Sequence, residues 1–295
     1  MTAALFRLRL GDGSIRLARG DVQTGPFQLL PAAATIQGLL RDGVDALLTA
    51  VQSESYGEPV PDGALIEAPV DHQEIWAAGV TYLRSRVARM DESAEPSVYD
   101  RVYEARRPEL FFKAPGWRVQ GPGAPIGIRA DSDWNVPEPE LALFVTSDLA
   151  IAGYAIGNDV SSRTIEGENP LYLPQAKIYD GACAIGPCLV PKALVAPPFE
   201  IRLKVIRDGT AVADETTSTS RLNRNLNDLI EHLGRALSFP DGVVLLTGTG
   251  IVPDNSFTLA AGDLVQISID QLGLLENPTI RVGHRLDHAE AGGKR

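Results

Sequence analysis

Cysteine and histidine are scarce in this chain, with two cysteines and four histidines among 295 residues. Cys183 and Cys188 lie in the apolar run GACAIGPCLV with no histidine near them, which argues against a disulfide or thiolate-metal pair and for two buried thiols. Long hydrophobic runs are missing too: no stretch approaches the roughly 18 apolar residues of a membrane-spanning helix. The opening MTAALFRLRLGDGS puts arginines straight after a short apolar patch, unlike a secretory leader, so a soluble cytoplasmic protein is expected. Positive charge is also in deficit. With 27 Lys and Arg against 38 Asp and Glu the net charge is -11, which repels nucleic-acid phosphates and anionic lipid heads, and neither is expected as a partner. An anionic small molecule would need a local positive centre, either a metal ion or a focused Lys/Arg cluster.

A content of 44% apolar and 22% charged residues is that of an ordinary folded protein, and the length allows one large domain with a small one attached. Residues 1–66 read as a small α+β unit: short alternating segments, then TIQGLLRDGVDALLTAVQS, in which Ile36, Leu39, Leu40, Val44, Leu47, Leu48 and Val51 keep helical spacing. The Pro- and Gly-rich YGEPVPDGALIEAP reads as the linker. Residues 67–287 form the expected catalytic domain. Charged amphipathic helices are expected near 83–90 and 99–106, a longer one near 221–237, and otherwise short strands: ELFFKA, IGIRA, LALFV, IAGYAIGND, CLVP, EIRLKVIRDG, VVLLTGTGIV and LVQISID. The βαβα alternation of a doubly wound sheet is missing, so a bent or rolled mixed sheet of α+β class is expected. The tail 288–295 reads as disordered.

The segment NVPEPELA holds Glu138 and Glu140 two apart around Pro139. In a strand such residues share a face, about 7 Å apart along the chain. Pro139 cannot donate to a sheet ladder, which puts this piece at an edge, a bulge or the start of a strand. If the chain turns near residues 148–149, antiparallel pairing sets Asp159 beside the two glutamates. Three ionised carboxylates so close repel, and either one takes a proton or a cation sits among them. An all-oxygen set favours Mg²⁺, or Mn²⁺ or Ca²⁺, over zinc. The competing reading is a set of surface ion pairs with Arg129 and Arg163.

Other candidates sit in apolar or turn-rich runs. Glu109 and Lys113 bracket ELFFK, and Lys177 lies in LYLPQAKIYDGA, where desolvation would lower its pKa and suit it to proton abstraction. The TGTGIV at 247–252 lacks the Gly-Lys-Ser/Thr end of a phosphate loop and reads as a tight turn lining a pocket. His284 and His288, four apart, read as part of the tail rather than as ligands.

In order along the chain, PEPELA, GYAIGNDVSSR, LPQAKIYDGACAIGPCLV, VVLLTGTGIV and LAAGDLVQISIDQLGLLENP resemble the signature segments of the fumarylacetoacetate hydrolase family. The resemblance implies a mixed β-roll catalytic domain, Mg²⁺ held by Glu138, Glu140 and Asp159, and a homodimer or homotetramer. RPELFFKA, SDWNVPEPELAL and ENPLYLPQAKIYDG are most similar to the branch that dehydrates 2-keto-3-deoxy pentonates (the D-arabinonate or D-xylonate forms) to 2,5-dioxopentanoate. Members that cleave C–C bonds carry a His and Glu pair in G-x-x-Y-x-x-H-x-x-E; here GVTYLRSRVA puts Ser85 and Ala88 in those places. The resemblance further implies Lys177 and Glu109 as the catalytic base and acid, in either order, and Tyr82, Arg86, Lys113 and Thr249 as substrate contacts. An acylpyruvate hydrolase, an oxaloacetate decarboxylase or a non-catalytic 2-oxo acid binder stays open as an alternative.

Overall fold

The computed structural model describes residues 2–53, 57–92 and 95–284; His288 and the tail 288–295 lie outside them. A ten-stranded sheet runs, edge to edge, through Gly25–Leu29, Ile15–Asp21, Ala3–Arg9, Cys183–Pro191, Ile151–Asp159, Pro139–Val145, Val243–Leu246, Glu74–Gly79 and Glu109–Pro115, with Leu65–Glu67 also pairing Ala3–Arg9. A five-stranded sheet follows the order Thr210–Ser218, Glu200–Arg207, Leu264–Ile269, Gly273–Val282 and Ile126–Arg129. All pairs are antiparallel except Val243–Leu246 with Glu74–Gly79 and Gly273–Val282 with Ile126–Arg129. This is the expected α+β arrangement of mixed sheets. The strands of residues 1–66 extend the large sheet, joining it through Leu5 opposite Leu189.

The strand Pro139–Val145 is buried at every position, because both of its faces are covered. Leu141, Leu143 and Val145 point into a core shared with Ile201, Leu203, Val205, Val265 and Ile267 of the five-stranded sheet. Ala142 and Phe144 point the other way, into a core with Leu40, Leu47, Leu189 and Val244. The second core is roofed by the helices Ile36–Arg41 and Val44–Gln52. The single helical pattern read from the sequence is split in two at Gly43, whose φ of 96° no continuing helix allows.

The helices Leu83–Glu92 and Pro96–Glu104 and the helix Leu226–Gly234 fall where amphipathic spacing places them, the last within narrower bounds. Thr210–Ser218 and Gly273–Val282 were not expected as strands. Thr210–Ser218 is polar and largely exposed, with no apolar alternation to betray it. The strand in VVLLTGTGIV ends at Leu246, and the chain turns through Thr247–Gly250, where TGTGIV was read as a tight turn. No helix among the described residues is long and apolar enough to cross a membrane.

Phe144 is fully buried between the strand and its roof. Phe144→Ala should lower the unfolding free energy by about 3–5 kcal/mol, read from the shift of a denaturant midpoint. A change below ~1 kcal/mol would show this face to be loosely packed.

Candidate active site

The hairpin linking Pro139–Val145 to Ile151–Asp159 turns through Thr146–Ala150, with Leu149 in the left-handed region at φ 66°. Its register places Asn158 opposite Pro139, and Asp159 N–H donates to the Glu138 carbonyl at 3.0 Å. Pro139 therefore begins a central strand rather than lying on an edge, and its missing N–H falls beyond the pairing of Val243–Leu246, which reaches only to Ala142. Residues 138, 140 and 159 all project from one face, and a carboxylate oxygen from each of Glu138, Glu140 and Asp159 lies within 4.8 Å of the others.

Four cationic side chains close around this triad. Lys177 ends the short helix Leu173–Lys177 and spans the triad, its Nζ donating to Glu138 Oε2 at 2.8 Å, Asp159 Oδ2 at 3.0 Å and Ser161 Oγ at 2.6 Å. Arg89 and Arg163 both reach Glu138 Oε1, at 2.7 and 2.9 Å, and both reach Glu166 Oε2, at 3.2 and 3.0 Å. The result is a closed ring of two guanidiniums and two carboxylates, all buried. Of the two arginines considered as surface partners, Arg163 enters this ring, whereas Arg129 pairs with Asp131.

Lys113, expected to touch the substrate, is placed instead behind Asp159. Its ammonium is ion-paired with Asp159 Oδ1 and donates to the carbonyls of Val160 at 3.0 Å and Lys177 at 2.5 Å. It holds a ligand and the backbone of the neighbouring lysine. Arg86, also expected at the substrate, turns to the facing helix, where it pairs with Asp100 and with Glu104 at 3.3 Å and lies 5.0 Å from the Tyr103 ring centroid. Tyr82 is buried beside the site, lining a separate apolar cavity with Leu83, Val87 and Gly250. Thr249 lines the site cavity itself, on the turn after Leu246.

That cavity encloses about 310 Å³ of empty space including its mouth, and its walls include Ser85, Arg89, Glu109, Phe111, Glu138, Asp159, Glu166, Leu173 and Lys177. Two glycines shape it. Gly79 stands where any Cβ would collide with the Glu109 carboxylate, so only glycine lets Glu109 turn inward. Gly248, at φ 88°, donates its N–H to Glu140 Oε2 at 2.6 Å, and a side chain there would strike Thr81 Oγ1. The sequence reading missed Arg89, Glu166 and Ser161. A signal for Arg89 existed: Ser85 and Arg89 are four apart on a helix and so share one face, whereas Arg86 lies about 100° round from Ser85.

Charges in this enclosure shift one another. Burial raises Glu140 well above the usual carboxylate range, reinforced by the charges of Asp159 and Glu138. Among the described residues no cationic side chain pairs with Glu140, so the triad retains one carboxylate to which no protein cation answers. A buried all-oxygen set with an uncompensated member fits a hard divalent cation. Burial also raises Glu109, to about 7, aided by Glu166 and opposed by Lys177 and Arg89. For Lys177 burial acts to lower the pKa, but Asp159 and Glu138 outweigh it and hold the ammonium above its ordinary value. The expectation of a lysine depressed by its apolar sequence neighbours is thus corrected: in space its neighbours are anions. Both thiols are free, and burial pushes Cys183 and Cys188 up to about 12, which leaves them inert.

Comparison with known proteins matches residues 74–280 to the C-terminal domain family of fumarylacetoacetate (FAA) hydrolase. A probable 2-keto-3-deoxyxylonate dehydratase of Haloferax volcanii is 45% identical over 255 residues, 84% of this chain and 87% of the relative. A 2-dehydro-3-deoxy-D-arabinonate dehydratase of Saccharolobus solfataricus is 41% identical over 219 residues, 72% of this chain and 74% of the relative. Among solved structures, a 2-keto-3-deoxy-D-arabinonate dehydratase complexed with magnesium and 2,5-dioxopentanoate superposes with a TM-score of 0.81 at 32% identity, covering 95% of this chain and 99% of that one.

The raised Glu109 leads to a test on the metal-free protein. Its folded value of about 7 lies above the ordinary 4.5, so the folded state binds this proton more tightly. That contribution is fully present below pH ~4.5 and is lost as pH rises toward 7, at most about 3 kcal/mol. Glu109→Gln should remove that portion of the decline in denaturant stability between those pH values; an unchanged slope would show that Glu109 ionises normally.

Proposed function

The chain belongs to the fumarylacetoacetate hydrolase family, and on that premise we propose that it is a Mg²⁺-dependent hydro-lyase converting a 2-keto-3-deoxypentonate, the D-arabinonate or D-xylonate form, into 2,5-dioxopentanoate and water. The observation that carries the reading is Lys177 hydrogen-bonded across a buried carboxylate triad, with a glutamate held near half-protonation in the same cavity. Identities of 45% and 41% to dehydratases of such acids support the substrate class.

Glu138, Glu140 and Asp159 would hold the ion. When bound there, Mg²⁺ supplies positive charge that polarises the 2-oxo acid, acidifies its C3 protons and offsets the carboxylate charge that otherwise keeps Lys177 protonated. Lys177 then takes a proton from C3, and Glu109, about half protonated near pH 7, donates one to the departing C4 hydroxyl, which leaves as water. Loss of a proton from C5 and its return at C3 turns the C3=C4 alkene into a C4=C5 enol, which becomes the aldehyde when its C5 hydroxyl loses a proton and C4 takes one up, so the atoms balance as substrate less one water. Lys113 secures Asp159 from behind, and Thr249 completes the walls. Arg89 and Arg163 hold Glu138 so that its other oxygen faces the centre.

Hydrolysis of an acylpyruvate would need a group to activate water above the cavity. Ser85 and Ala88 offer none, which favours elimination over that alternative. We further assign residues 1–66 to an N-terminal domain and 67–287 to the catalytic domain, in line with a family match beginning at residue 74. A homodimer or homotetramer in the cytoplasm completes the proposal, the free thiols being at home in a reducing compartment.

Lys177→Met should lower turnover of 2-keto-3-deoxypentonate by about 10²–10⁴-fold with folding intact by circular dichroism. EDTA should abolish turnover and added Mg²⁺ restore it. Mass spectrometry showing no 2,5-dioxopentanoate from the wild type with Mg²⁺, or full activity in Lys177→Met, would overturn the mechanism.

A further inference from the structure

Ser85 is an oddity in the cavity wall. It is 6% exposed, lies on the helix Leu83–Glu92 one turn before Arg89, and lines the cavity together with Glu138 and Asp159 of the carboxylate strands. Its neighbours there are committed: Arg89 to Glu138 and Glu166, Lys177 to Glu138, Asp159 and Ser161, and Thr249 to the backbone of Ile251. Like the Glu109 carboxyl in the same wall, the Ser85 hydroxyl makes no hydrogen bond among the described residues, and it is not one of the polar atoms sealed from solvent. It is therefore open to the cavity with its donor and its acceptor both unused.

A hydroxyl in such a position is left to whatever enters the cavity, water or ligand. Buried polar groups are ordinarily satisfied by the protein, and one left over costs on the order of 1–3 kcal/mol unless water or a ligand answers it. Both faces of a serine hydroxyl match another hydroxyl, which also donates once and accepts. A carboxylate or oxo group is drawn to the cationic and metal-binding side of the cavity. What remains for Ser85 is the hydroxylated end of the substrate.

We propose that Ser85 is a specificity-determining residue that hydrogen-bonds the hydroxylated C4–C5 end of the sugar acid, so that the site distinguishes hydroxylated 2-oxo acids from plain ones. This rests on the dehydratase reading and deepens it. Held at C5 by Ser85 and at C1–C2 by the metal side, the chain is stretched across the cavity, with C3 toward Lys177 and C4 toward Glu109. Ser85 takes no proton in the reaction; it fixes the far end from which a C5 proton must later leave.

The test compares wild type with Ser85→Ala in three measurements on the Mg²⁺-loaded protein. The KM for 2-keto-3-deoxypentonate should rise about 3–12-fold, the loss of one hydrogen bond to a neutral group. The dissociation constant of 2-oxopentanoate, which has the 2-oxo acid end and no hydroxyl, should be unchanged or tighter by calorimetry. Thermal stability should be equal or higher, since the hydroxyl makes no hydrogen bond to the protein that the substitution could remove. Parallel weakening of both ligands, or a lowered melting temperature with unchanged KM, would show Ser85 to be a packing residue and overturn the proposal while leaving the dehydratase reading intact. Absence of turnover in the wild type would overturn both.

Discussion

The structure is organised by the need to neutralise three carboxylates at the buried end of a central hairpin. An isolated buried charge costs several kcal/mol even after the protein relaxes, and mutual repulsion adds to that. Glu138 is answered by Arg89, Arg163 and Lys177, and Asp159 by Lys113 and Lys177, while Glu140 has only the Gly248 N–H among the described residues. This unequal treatment tells an ion site from a salt-bridge cluster. A cluster selected for stability would pair each carboxylate; here the protein's own cations stop one short.

Much of that arrangement follows from the hairpin alone. The turn Thr146–Ala150 is centred on residue 148, and a one-residue bulge between Ile151 and Gly153 then shifts the register so that Asp159 falls beside Glu138. The alternation of strands, the turn at Thr247–Gly250 and the buried thiols were legible for similarly local reasons. The roles of Lys113 and Arg86 were not. A lysine at the end of ELFFK reads alike whether its ammonium enters the cavity or is consumed behind it, and only the carbonyls of Val160 and Lys177, 47 and 64 residues away, decide which. Arg86 was claimed by Asp100 and Glu104 on the next helix, a pairing between faces whose packing no spacing rule fixes.

The Lys177 correction has the same origin. Sequence neighbours suggested an apolar pocket and a depressed pKa, but Leu171 and Tyr172 are exposed, and the groups that face the ammonium come from residues 138, 159 and 161. Coulomb attraction from two close carboxylates exceeds the desolvation that sequence context brings to mind. The protonation state of this lysine is consequently linked to the charge state of the triad.

The helix Leu83–Glu92 shows how two demands share one surface. Through Arg89 it contributes positive charge that lets Glu138 remain ionised in the interior, a stabilising role in which both partners are saturated. One turn earlier, through Ser85, it presents a hydroxyl that the protein leaves unsatisfied. Positions that are fully paired hold the machinery in place, and positions left unpaired are those from which a ligand gains differential binding, so unsatisfied polarity facing a cavity is a physical mark of recognition. By the same reasoning Gly79 belongs to the machinery although it carries no side chain: the space it vacates is what admits the Glu109 carboxylate to a site whose remaining walls are already committed.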